Sequence, residues 1–204
     1  MSEDHPLYPA SPYASAKCGA DRLVWSYWKT YDIPVVIVRP FNQYGPHQHL
    51  EKCIPRFITN AINDWTLEVH GDGLAARDWV YVEDTCQALL RVLEAPRDAV
   101  VGEVINLGTG VALNTATVAR RVIELTGASP ALIQNIPNRP GQVDLHISST
   151  EKAERLLGWR ATTTFDQGLE RTVAWYRAHP RWWQARIWLR QSPVALKDGT
   201  LVMH

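Results

Sequence analysis

Ser11-Pro12-Tyr13-Ala14-Ser15-Ala16-Lys17 opens the segment whose reading decides the fold. Ser11 suits a helix cap and Pro12 the first helical position. Leu23, Val24, Tyr27, Trp28 and Tyr31 then recur at helical spacing, and Asp32-Ile33-Pro34 stops the run. The spacing predicts a helix over 12–31. Val35-Val36-Ile37-Val38 follows without a break. Such a run is the pattern of a strand buried on both faces of a parallel sheet. Ligand loops in such sheets lie beyond the carboxyl ends of the strands, which is where Arg39–Gly45 falls. Tyr13 and Lys17, four residues apart, share one helix face. A free tyrosine titrates near pH ~10, and a cation alongside favours the phenolate. Phenol and ammonium together are equipped to exchange a proton with a substrate hydroxyl and to hold a ribose. By itself the Tyr-x-x-x-Lys spacing is weak, because the same pair is common on helix surfaces.

Downstream, helices are expected over 53–64, 84–94, 115–126, 150–157 and 165–178, and strands over 67–70, 77–82, 104–107 and 132–136. Ser148-x-x-Glu151 and Thr164-x-x-Gln167 match the capping box. The tail from 191 has no clear periodicity. No internal repeat or low-complexity block interrupts the chain.

Bulk composition narrows the function. The 204 residues, 46% of them hydrophobic, are enough for a folded core. Lys+Arg and Asp+Glu both number 21, so the formal net charge is zero. That balance argues against nucleic acid or an anionic membrane as partner and leaves anion binding to a few local arginines. Cys18, Cys53 and Cys86 are too few and too scattered for a disulfide framework or a zinc site, so reduced thiols in the cytoplasm are expected. No apolar run reaches the ~20 residues that span a bilayer. His47 and His49 are two ligands at most, so no metal site is expected.

Several further stretches stand in a set order: Arg39-Pro40-Phe41-Asn42-Gln43-Tyr44-Gly45-Pro46, Glu51-Lys52-Cys53-Ile54-Pro55, Arg77-Asp78-Trp79-Val80-Tyr81-Val82-Glu83-Asp84, and Gly102-Glu103-Val104-Ile105-Asn106-Leu107-Gly108-Thr109-Gly110. With the Tyr-x-x-x-Lys helix, this series resembles the extended short-chain dehydrogenase/reductase family, the NAD-dependent nucleotide-sugar epimerases and dehydratases. It is most similar to the dTDP-glucose 4,6-dehydratase-like members, over residues 3–183. The resemblance implies an α/β fold: the C-terminal part of a Rossmann-type parallel sheet plus a small α/β substrate-binding lobe. Residues 1–50 would end the NAD-binding domain. Residues 51–190 would form mostly the lobe, with some segments returning to the sheet, and 191–204 a tail. The glycine-rich dinucleotide fingerprint, the Ser/Thr beside the active tyrosine and the acidic pair used by dehydratases would all lie upstream of Tyr13.

The resemblance also assigns roles. Tyr13 would be the acid–base residue for the sugar 4-hydroxyl as hydride passes to NAD. Lys17 would hold the nicotinamide ribose and favour the phenolate. Pro40 and Phe41 would pass the nicotinamide end of NAD, and Asn42 would offer its amide to the substrate. Lys52 would lie along the nucleotide sugar. Arg77 would bind the diphosphate, where a guanidinium fork suits phosphate oxygens better than an ammonium does. Arg139 of Arg139-Pro140-Gly141 would add a second phosphate contact. Cys53 stands where relatives carry a hydrophobic residue.

Blander roles compete at several positions. Asn42 could be a turn cap, Tyr44-Gly45-Pro46 a turn, and Lys52 a solvated surface lysine. Asp78 is expected as an ion-pair partner, Asp84 as a helix cap, and Asn106 as a residue that ties backbone together. Trp175, Trp182, Trp183 and Trp188 are expected to pack the last helices. The family's dimers form through two long helices, of which 12–31 matches one; the other is near 61–95 or upstream.

Oxidation at the sugar C4 could be followed by dehydration, epimerisation or decarboxylation, and NADP is not separated from NAD. A second reading is a non-catalytic chain that binds a nucleotide sugar or pairs with another subunit. Standing alone, the 204 residues are expected to lack catalysis, because the cofactor does the hydride chemistry. A third, a pure oligomerisation module, rests only on the Trp-rich end.

Overall fold

In the computed structural model, residues 1–138 and 142–190 are described throughout, with the backbone of 193–195 and 201–203. The chain divides into two compact units. One comprises Met1–Gln43, Leu74–Thr115 and Asn138–Phe165; the other comprises Tyr44–Gly73, Ala116–Pro137 and Asp166–His204.

The first unit begins with helix α1 (Pro12–Tyr31). The Ser11 hydroxyl accepts from the Ala14 amide at 3.1 Å, and Asp32 closes the helix in the left-handed conformation. Strand β1 (Ile37–Pro40) follows, then β2 (Asn42–Tyr44), whose last residue starts the second unit. The second unit continues with α2 (Cys53–Ile62) and β3 (Leu67–His70). The chain returns to the first unit in β4 (Ala76–Tyr81), α3 (Val82–Glu94), a single helical turn α4 (Arg97–Val100), β5 (Val104–Leu107) and β6 (Ala112–Asn114). Helix α5 (Thr115–Thr126) and β7 (Ile133–Ile136) belong to the second unit. The two-residue β8 (Leu145–His146) and α6 (Glu151–Leu157) belong to the first, and α7 (Phe165–Ala178) and α8 (Pro180–Gln184) to the second. The short strands β9 (Pro193–Ala195) and β10 (Leu201–Met203) pair antiparallel, a hairpin the sequence reading does not contain.

In the first unit β1 and β5 pair parallel, Ile37 opposite Val104 and Pro40 opposite Leu107. A second sheet runs β2–β4–β6, with β8 parallel to β4. Ala88, Val100, Ile105, Leu107, Ala153, Leu157 and Trp159 form one buried cluster against which Val36 and Val38 pack. In the second unit β3 and β7 pair parallel. Its buried side chains include Ile54, Phe57 and Ile58 of α2, Val118 and Val122 of α5, and Leu169, Val173 and Tyr176 of α7. Each follows the helical spacing of one apolar stripe. These parallel pairings within an α/β arrangement are what the sequence predicts.

Three local expectations change. The Val35–Val38 run is half-buried rather than buried, because β5 is the one strand that pairs with β1 among the described residues. Helix α1 carries a regular apolar pattern yet contains no buried residue; Leu23, Val24, Tyr27 and Tyr31 are exposed. Thr150, not Ser148, caps α6, since the Ser148 hydroxyl is taken up elsewhere. Strands β2, β6 and β8 and helices α4 and α8 had no legible period, being only two to five residues long.

Candidate active site

Tyr13 and Lys17 lie one turn apart at the start of α1, with the Lys17 ammonium 5.8 Å from the Tyr13 ring centre. The ring is 72% exposed, open to a ligand. The helix that carries the pair is anchored one turn on. Arg39 at the end of β1 bonds Asp21 at 2.7 Å and the Glu3 carbonyl at 3.0 Å. Burial works to raise the Asp21 pKa, but the bonds from Arg39 and Arg22 outweigh it and hold the carboxyl below its usual range. Further along α1, the Trp28 ring lies where a side chain on Gly102 would have to be, and Gly102 has φ +83°. Only glycine fits there, by both space and backbone.

Pro40 is exposed, and Phe41 and Asn42 are half-buried at the turn between β1 and β2. The Phe41 amide bonds the Leu107 carbonyl at 2.9 Å, and its ring stacks on His146 at 4.6 Å with the planes 25° apart. Arg77, on β4, is the register partner of His146 on β8 and of Leu113 on β6. Paired positions on neighbouring strands project to one face. Arg77 donates to the Ala76 carbonyl at 2.8 Å. The structure thus gathers Phe41, Arg77 and His146. The imidazole pKa is lowered, first by burial and then by the Arg77 charge.

On the other side of β4, Asp78 is fully buried. Its carboxylate accepts from the Thr109 amide and hydroxyl at 2.9 and 2.7 Å, the Gly110 amide at 3.0 Å, and the Ser148 amide and hydroxyl. The expected ion pair is replaced by neutral donors from two turns. A Cβ on Gly108 would collide with Asp78 and Ser148, so the glycine lets the turn close on the carboxylate. Asp84 is likewise not a cap: Tyr81 caps α3, and Asp84 accepts from the Thr162 amide and hydroxyl and the Thr163 amide. Asn106 does tie backbone together: its side-chain amide donates to the Met1 carbonyl at 3.1 Å, and its backbone N–H donates to the Glu3 carboxylate at 2.9 Å.

Lys52 belongs to the second unit and forms an exposed ion pair with Glu51 at 2.8 Å. Arg139, Pro140 and Gly141 lie outside the described residues. His47 packs on Trp175 at 4.5 Å and Trp182 at 5.3 Å, and no cluster of three metal-ligating side chains occurs among the described residues. Trp183 is buried, whereas Trp188 is 71% exposed. Among the described residues no helix is long and apolar enough to cross a membrane. His146 escaped the sequence reading: it sits on a two-residue strand after an irregular stretch, and no motif marks it.

The parallel pairing and the Tyr-x-x-x-Lys helix are those of the extended short-chain dehydrogenase/reductase fold. A family model described as GDP-mannose 4,6 dehydratase matches residues 1–172, and the chain belongs to that family. Among curated relatives, the low-salt glycan biosynthesis protein Agl12 of Haloferax volcanii is 43% identical over 176 residues, which are 86% of this chain and 56% of that protein. A dTDP-glucose 4,6-dehydratase of Actinoplanes is 38% identical over 182 residues, 89% of this chain and 56% of the relative. The crystal structure of the dTDP-glucose 4,6-dehydratase DesIV from Streptomyces venezuelae, with NAD bound, superposes with a TM-score of 0.84 at 38% identity. It covers 91% of this chain and 56% of its own. The chain therefore spans a little over half the length of the relatives it matches.

Proposed function

We propose that this chain carries the Tyr-x-x-x-Lys and substrate-binding portion of an NAD-dependent nucleotide-sugar 4,6-dehydratase. The observation that carries the reading is the exposed Tyr13–Lys17 pair on α1, within a stretch the family model matches over residues 1–172. Tyr13 and Lys17, with Pro40 and Phe41, would hold the nicotinamide end of NAD. The pair fits that role because phenol and ammonium share one open face with no buried partner of their own. When bound, NAD would supply the hydride acceptor for the sugar C4. The Tyr13 oxygen would take the proton of the sugar 4-hydroxyl and give it up to solvent before the next turnover, with the Lys17 ammonium beside it to hold the ribose. Arg77 and Arg139 bind the diphosphate, Asn42 orients the sugar by its amide, and Lys52 adds a point charge along the nucleotide.

The partner is a second copy of the chain. Helices α1 and α3 both expose large apolar side chains, among them Tyr27 and Tyr31 on one and Leu90 (57%) and Leu93 (81%) on the other. Such faces mark protein contacts. Cys18, Cys53 and Cys86 form no disulfide, which agrees with work in the cytoplasm.

A second reading, nucleotide-sugar binding without turnover, is favoured by the lack of any buried residue on α1. Turnover of dTDP-glucose and UDP-glucose with NAD separates the two. The first reading expects a 4-keto product, and Tyr13→Phe should lower the rate by roughly 10²–10⁴-fold with binding kept. Saturable binding without product favours the second. Absence of both binding and product overturns both.

A further inference from the structure

Phe41, Arg77 and His146 come together from three separate stretches of chain, and no motif or family role accounts for the histidine. Arg77 and His146 occupy paired positions on adjacent parallel strands, so their side chains leave the sheet on one face, about 5 Å apart at the backbone. Phe41 stacks on the imidazole and fixes its plane at 25° to its own. An imidazole held flat against an aromatic ring keeps its edge nitrogens for polar partners. Whatever anion the Arg77 guanidinium receives has this edge within reach.

We propose that His146 is a second binding residue of the Arg77 anion site, contacting the diphosphate of a nucleotide sugar and making its affinity depend on pH. The proposal rests on the phosphate-binding reading of Arg77. The groups facing His146 explain how the dependence arises. Arg77 on β4 opposes the imidazolium, as do the Met1 ammonium and His5 on the N-terminal segment, while Asp78 favours it. Burial, the largest influence, also disfavours the charged ring. The imidazole is thus neutral near pH 7. A bound dianion would cancel the Arg77 repulsion and supply an acceptor for a second ring N–H. Protonation and ligand binding are then linked: each favours the other by the same factor.

The test uses UDP-glucose, whose diphosphate is esterified at both ends and does not itself titrate near neutral pH. Binding to the full chain is measured by calorimetry at about pH 5.5 and about pH 8. Wild type should bind roughly fivefold more tightly at the lower pH. His146→Phe keeps the stack and should bind alike at both. In wild type, the NMR titration of the His146 ring should shift to higher pH when UDP-glucose is added, a readout that needs no variant to fold. An equal pH slope in His146→Phe, or a ring titration the ligand does not move, overturns the proposal while the Arg77 reading stands. Unchanged affinity in Arg77→Ala overturns the Arg77 reading and the proposal with it, as does no saturable binding in wild type.

Discussion

Arg77 and His146 show how much one side chain decides when charges share a half-buried face. Arg77→Lys keeps the charge but loses the planar fork. Nucleotide-sugar affinity should fall by roughly tenfold by calorimetry, and an unchanged affinity would place the phosphates elsewhere. For His146 the sign follows from its lowered pKa. The unfolded imidazole binds its proton at a higher pH than the folded one does. As pH drops below the ordinary histidine range of about 6.5, the unfolded state gains protons first and stability is lost. Urea midpoints should therefore fall between about pH 7 and pH 5, and His146→Phe should flatten part of that fall. Identical slopes in both proteins would show that other groups carry it. Tyr13 and Lys17 were legible as residues because the i,i+4 rule acts within one helix; the Phe41–His146 stack was not, because it spans chain segments with no common period.

At the scale of elements, the loop network around Asp78 hangs on a single side chain. One carboxylate serves the amides of Thr109, Gly110 and Ser148. Asp78→Ala should cost roughly 3 kcal/mol or more in urea unfolding, since buried amides would lose their acceptor. Loss of much less would mean that water replaces the carboxylate. In the second unit Trp183 is buried on α8, and its indole donates to the Tyr176 carbonyl at 2.8 Å. Trp183→Ala should destabilise by about 3–5 kcal/mol by the same measurement. The Tyr176 hydroxyl donates to the Gln48 carbonyl, and burial pushes its pKa above the ordinary range. Helices α1, α2, α5 and α7 were readable in advance because ten or more residues repeat a period. The ends that depend on a distant partner were not, as Asp84 and Ser148 show by serving other segments instead of caps.

At the scale of the molecule, the exposed apolar faces of α1 and α3 set the expected assembly. Zero net charge gives copies no repulsion to hold them apart. The dimer proposed for the chain predicts that Leu90→Glu with Leu93→Glu yields a monomer by sedimentation while the circular dichroism is kept. A wild-type monomer, or a double variant that still dimerises, would reject α3 as the interface. Among the described residues several of the balancing charges pair with one another, as in Arg39–Asp21 and Lys152–Glu103.

The amino-acid sequence by itself determined the long helices and the Tyr13–Lys17 pair, because those depend on spacing within one element, and its ordered motifs implied the class of fold by family resemblance. Tertiary structure alone decided three things: that α1 buries nothing, that Asp78 is met by hydroxyls and amides up to 70 residues away, and that His146 lies beside Arg77. The physical reason is that such contacts are chosen by the free energy of packing whole elements together. Local periodicity carries no record of which distant group fills each place.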